Sequence, residues 1–107
     1  MKESNLYLKF ATAYKRKDKY AFVYKIPDTA GLGGLRPADI HVMSETVGFL
    51  IEMKVDGQPT KYQAYQLLKY KRAGGIAIKY NYKEETIKQL VERMIKIRDN
   101  MLRMTIV

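Results

Sequence analysis

The run Val47-Gly48-Phe49-Leu50-Ile51-Glu52-Met53-Lys54-Val55 constrains this chain most. It is strand-length, rich in branched and apolar residues, and broken by charge only at Glu52 and Lys54. Side chains two apart in a strand share a face, so Phe49, Ile51, Met53 and Val55 form one side and belong to a core. Leu50, Glu52 and Lys54 share the other side. A carboxylate and an ammonium set into so apolar a segment are costly unless they serve each other or an ion.

The segments around this strand alternate between the two periodicities. Residues 3–17 read as a helix, with Leu6, Phe10, Ala13 and Tyr14 on one stripe and Lys15, Arg16, Lys17 and Lys19 as a basic exit. Residues 20–26 read as a strand that Pro27-Asp28 ends. Residues 29–37 form a glycine-bearing loop, and 39–43 a short strand that pairs with 47–55 as a hairpin through a turn at 44–46. Thr60 starts a helix over about 61–72, which Gly74-Gly75 ends. Residues 76–82 alternate as a strand. Asn81, with Glu84 three residues later, predicts the start of a last helix. Its apolar face is Ile87, Leu90, Val91, Met94, Ile97 and Met101, running through about Arg103 and serving either the core or a dimer contact. The order α-β-β-β-α-β-α predicts an α/β fold, a mixed four-stranded sheet flanked by helices. A length of 107 residues fits one domain, 1–107.

Charge narrows the partners. Twenty Lys+Arg against eleven Asp+Glu leave +9, which favours attraction to a phosphate backbone. The cations are scattered rather than gathered in a block beside an apolar segment, and no apolar run is long enough to span a bilayer, so no membrane partner is expected. With no cysteine there is neither a disulfide framework nor a thiolate metal site. The expected location is cytoplasmic or nucleoid-associated. Gly31, Gly33 and Gly34 match neither a phosphate-binding loop nor a dinucleotide fingerprint.

Asp39 begins the strand that should lie beside Glu52. Two carboxylates at close range repel, and a divalent cation relieves the repulsion. Magnesium or manganese suits such oxygen donors, and the Met53 backbone carbonyl offers one more. A metal so held polarises a phosphodiester and stabilises its leaving oxygen, while Lys54 is placed to hold the phosphate or orient a water.

The pattern resembles the PD-(D/E)XK nuclease superfamily, and within it the small VRR-NUC group and related Holliday junction resolvases. Gly34-Leu35-Arg36-Pro37-Ala38-Asp39 stands where that group runs from glycines into its first metal-binding aspartate. Phe49-Leu50-Ile51-Glu52-Met53-Lys54 stands for its acid-x-lysine strand, Gln63 for the glutamine of the following helix, and Ala73-Gly74-Gly75-Ile76-Ala77-Ile78 for the glycine turn into the last strand. The proline, two residues before Asp39 rather than immediately before it, departs from the pattern. The resemblance implies a restriction-endonuclease-like core and a Mg²⁺- or Mn²⁺-dependent DNA endonuclease, dimeric and directed at branched or four-way DNA. It also implies a glutamate on the first helix, for which Glu3 is the sole candidate.

Other readings accompany these. Thr60-x-x-Gln63 fits a capping box as well as a site residue. His41, on the same face as Asp39 and without a second histidine or cysteine, is structural or accessory. Tyr62, Tyr65 and Leu68 fit a core better than a base-stacking platform. Arg36, Lys15, Arg16, Lys17, Lys61, Lys69 and Arg72 are the candidate DNA contacts, otherwise a solvated face. A noncatalytic nucleic-acid-binding module is the alternative function, followed by a structural subunit; an RNA substrate is also open.

Overall fold

A computed structural model describes residues 3–27, 38–53 and 61–105. Helix α1 (Glu3–Lys17) leads to strand β1 (Phe22–Lys25), β2 (Ile40–Ser44) and β3 (Val47–Met53). Helix α2 (Lys61–Arg72), strand β4 (Ile76–Tyr80) and helix α3 (Ile87–Thr105) complete the order. The four strands lie in chain order, antiparallel from β1 to β3, with β4 parallel to β3. The mixed sheet and element order are those read from the sequence. The strands themselves are shorter: β1 and β4 lose the ends assigned at 20–21, 26 and 81–82, and β2 is shifted one residue on.

Each face of the sheet buries a different set. Leu6, Phe10 and Tyr14, four residues apart along α1, pack with Leu90, Val91 and Met94 of α3 against Ile40, Val42, Phe49, Ile51, Met53, Ile78 and Tyr80. The apolar face of α3 therefore serves the core. On the opposite face Leu67 of α2 packs on Leu50 and Ala38, with Tyr70 and Ala77 at its edge. β3 is covered on both sides, which is why its residues from Phe49 to Met53 are all buried. Burying one such large side chain is worth about 1.5–3 kcal/mol, so this strand anchors the domain.

Two chain reversals set the geometry. Glu45 and Thr46 turn the β2–β3 hairpin with φ of 48° and 71°, the primed two-residue turn that matches strand twist. A β-branched residue is poorly suited to the left-handed region. Thr46→Gly is therefore expected to stabilise the fold by roughly 0.5–1 kcal/mol, raising the melting temperature by a few degrees in a thermal scan. At the end of α2 the Gly75 N–H donates to the Tyr70 carbonyl (3.0 Å) and the Gly74 N–H to that of Lys71 (3.1 Å), with Gly74 at φ 101°. This is the glycine stop expected there. The Tyr70 side chain lies so close that a Cβ would overlap its ring at Gly75 and its hydroxyl at Gly48.

The start of α3 corrects the sequence reading. Asn81 and Glu84 form a turn, in which Asn81 accepts from the N–H groups of Lys83, Glu84 and Glu85. The capping box lies five residues on. The Gln89 N–H donates to Thr86 Oγ1 (3.1 Å), and the Thr86 N–H to Gln89 Oε1 (2.8 Å).

A buried polar cluster, unseen in the sequence, closes the hairpin end of the sheet. Arg98 of α3, only 9% exposed, donates to Ser44 Oγ (3.0 Å) and lies 3.4 Å from the Asp18 carboxylate. Ser44 Oγ in turn donates to Asp18 Oδ2 at 2.7 Å. Asp99 and Glu45 add contacts from the rim.

Candidate active site

Asp39 sits just ahead of β2, at the end of the sheet away from the hairpin turn. Its backbone N–H donates to the Ile51 carbonyl (3.0 Å), and its Oδ2 accepts from the Met53 N–H (2.7 Å). The Asp39 carbonyl accepts from the Ile26 N–H at 2.9 Å, so strand neighbours on both sides fix it. Its bonds to Ile51 and Met53 bracket Glu52. The juxtaposition expected of the two acids is thus present, and both are buried: Asp39 at 6% exposure and Glu52 at 1%. At that depth Glu52 is not an ordinary surface charge.

Gln63 arrives from the other layer. Leu67 packs on Leu50. Moving one turn back along α2 covers about 5.4 Å, and two residues on along β3 about 6.6 Å. Because α2 runs antiparallel to β3, the step carries Gln63 toward the Glu52 end of β3. Gln63 is accordingly buried, at 6% exposure. Thr60, the partner in its capping-box reading, lies outside the described residues.

A narrow cleft opens at Asp39, lined by Tyr7, Lys25, Ile40 and Met53, with about 10 Å³ of room. That volume suits roughly one water-sized occupant. Tyr7 and Lys25 were not singled out from the sequence. The signal for Lys25 is its pairing with Ile40 in the β1–β2 register, beside Asp39. The oxygen set fits magnesium or manganese: two buried carboxylates with the Met53 carbonyl one residue along the strand from Glu52. Among the described residues no group of three or more His, Cys, Asp or Glu side chains gathers. Two carboxylates suffice for magnesium, which keeps waters and takes substrate oxygens.

Lys54 and Arg36 lie outside the described residues. Glu3 is the first residue of α1, one helical turn ahead of Tyr7. Lys61 starts α2 at the site end and is exposed, while Lys69 and Arg72 are exposed further along it. Lys15, Arg16 and Lys17 form the last turn of α1, near Asp18 and the Ser44 end of the sheet, opposite Asp39. The Tyr70 hydroxyl lies 3.3 Å from His41 Nε2. Burial raises that phenol's pKa, so it stays protonated and His41 has a structural partner.

No family model matches the chain, and no curated protein matches it. A solved structure described as a VRR_NUC domain does: the TM-score is 0.52 at 17% identity, covering 82% of this chain and 91% of that one. The chain therefore shares the fold of that VRR_NUC domain. No helix among the described residues is long and apolar enough to cross a membrane.

Proposed function

We propose that the protein is a metal-dependent endonuclease that hydrolyses DNA phosphodiester bonds. The supporting observation is the burial of Asp39 and Glu52 on neighbouring strands at one end of the sheet, with Gln63 of α2 buried as well. Two neighbouring buried carboxylates are costly to fold, and a divalent cation bound between them offsets that cost. Asp39, Glu52 and the Met53 carbonyl hold Mg²⁺ or Mn²⁺, with Glu3 as a further candidate ligand. When bound, the metal polarises the scissile phosphate and stabilises the leaving oxygen.

The chain's own residues supply the rest. The Met53 N–H holds the Asp39 carboxylate in a fixed orientation. Gln63 supports the site from α2. Lys25, at the cleft, and Lys54 neutralise the phosphate, and Lys54 also orients the attacking water. Water attacks phosphorus and gives up a proton to solvent as one P–O ester bond breaks, and the leaving oxygen takes a proton from solvent to become a hydroxyl. Arg36, Lys61, Lys69 and Arg72 contact the backbone and position it without reading sequence. Lys15, Arg16 and Lys17, at the far end of the sheet, would engage only a longer duplex or a second arm.

One domain over residues 1–107 carries one site, so a symmetric four-way junction requires a homodimer. Branched DNA is the proposed substrate, and a cytoplasmic or nucleoid-associated location follows from it. The solved VRR_NUC domain of like fold supports the nuclease class.

A labelled four-way junction tests the metal requirement. Chelator is expected to stop cleavage completely, and added Mg²⁺ or Mn²⁺ to restore it. Cleavage that persists in chelator contradicts the proposal.

A further inference from the structure

The half of the sheet that α2 leaves uncovered carries a run of rings. Phe22 and Tyr24, two apart on β1, are 54% and 45% exposed. Their centroids lie 5.8 Å apart with planes 19° from parallel. Phe22 meets the His41 ring edge-on at 6.2 Å, and His41 meets Tyr70 edge-on at 6.1 Å. Four rings thus cross from β1 through β2 to α2. Met43, paired with Phe22 in the β1–β2 register, is 37% exposed beside them. Tyr62 and Tyr65, expected in the core, are instead exposed on α2, and Lys69 Nζ lies 5.5 Å from the Tyr65 centroid.

The run adjoins the acid pair. Side chains of Met43, His41 and Asp39 alternate onto one face of the same strand segment, so Asp39 lies about 6.6 Å along from His41. Among the described strand residues Glu52 is the only acid, and on α2 Lys69 borders the exposed Tyr65 ring. A partner that matches flat apolar rings, a cationic rim and a chain of net charge +9 is a polyanion that carries aromatic faces of its own. Unpaired nucleotides have both properties, whereas duplex DNA hides its base faces in the stack. A protein partner would cover the rings but would have to be acidic to be drawn to their rim.

We infer that the Phe22–Tyr24–His41 surface stacks the unpaired bases of single-stranded DNA and leads the strand to Asp39 and Glu52. The inference rests on the nuclease reading and refines its substrate to DNA with a single-stranded stretch beside the cut: a flap, a gap or a splayed junction arm.

Fluorescence anisotropy in chelator measures the binding without cleavage. Probes are a 20-nucleotide oligodeoxythymidylate and a 20-base-pair duplex. The variants are Phe22→Ala with Tyr24→Ala, the conservative Tyr24→Phe, and Glu52→Gln. Both aromatic positions are exposed, so circular dichroism should confirm that the double variant folds. The double variant is expected to lose about tenfold or more in single-strand affinity, with duplex affinity changed less than about twofold. Tyr24→Phe and Glu52→Gln should retain single-strand binding. Equal losses on both probes, or none on the single strand, would overturn the inference. So would a change of the wild-type chain from dimer to monomer in the double variant with single-strand binding intact, which would make the surface a self-association face. Tighter binding of the matching oligoribouridylate would overturn the assignment to DNA. If single-strand binding behaves as expected but no metal supports cleavage, the nuclease reading fails and the stacking surface stands.

Discussion

Replacing Glu52 with glutamine is expected to lower cleavage by at least about a thousandfold, roughly 4 kcal/mol of transition-state stabilisation, while leaving the fold intact. The substitution keeps the shape of a side chain that is 1% exposed and removes one of two adjacent buried charges. In chelator its melting temperature should therefore equal or exceed that of the native chain, as when a site's function opposes its stability. Metal reverses that order. A ligand at about one hundred times its Kd stabilises the folded state by about 2.7 kcal/mol. For a domain of this size that is a rise of roughly 10 °C with saturating Mn²⁺. The native chain should show the rise and Glu52→Gln should not. A fold that melts lower in chelator, or an Mn²⁺ shift equal to the native one, would mean that Glu52 is a structural residue and not a ligand.

The second large effect is expected far from the site. Arg98→Ala should destabilise the protein by about 3 kcal/mol, lowering the melting temperature by roughly 10 °C or more. The side chains of Arg98 and Asp18 are 11% and 10% exposed and lie 3.4 Å apart, with Ser44 joined to both. Removing the guanidinium leaves a buried carboxylate whose charge is poorly offset. Asp18→Asn should cost less, because Arg98 keeps Asp99 at 2.9 Å and Glu45 at 3.5 Å. Those partners are about half exposed, however, and contribute little themselves. A thermal scan compares the two variants, and equal losses would contradict this division of roles. Cleavage per folded molecule should be unchanged in both.

What local pattern governs was legible, and what distant packing governs was not. The stripe Leu6, Phe10 and Tyr14 and the glycines after Arg72 define α1 and α2, whose bounds in the structure are those read from the sequence. Strand alternation put Phe49, Ile51 and Met53 on one face and Leu50 and Glu52 on the other. It could not say that α2 would cover the second face and bury Glu52 as deeply as the core. Asn81 with Glu84 copied the spacing of a capping box whose real members are Thr86 and Gln89. Both are short polar segments ahead of one apolar face, so spacing alone does not separate them. Tyr62, Tyr65 and Leu68 looked like core, yet a spacing of three drifts around a helix, and the side chains α2 buries are Gln63 and Leu67. Residues 18, 44 and 98 share no period. Only the fold brings Asp18, Ser44 and Arg98 together. Lys25 likewise became a site candidate only through the register that sets it beside Asp39.

The central claim is that Asp39 and Glu52 form one metal-dependent site for breaking DNA. Native chain and Glu52→Gln can each be bound to the same labelled four-way junction in chelator, at equal measured occupancy, and the reaction started by excess Mg²⁺. The account predicts cleaved product from the native chain and none from the variant over the same interval. Equal rates from the two, or no product from the native chain with either Mg²⁺ or Mn²⁺ on junction, flapped or linear DNA, would contradict it.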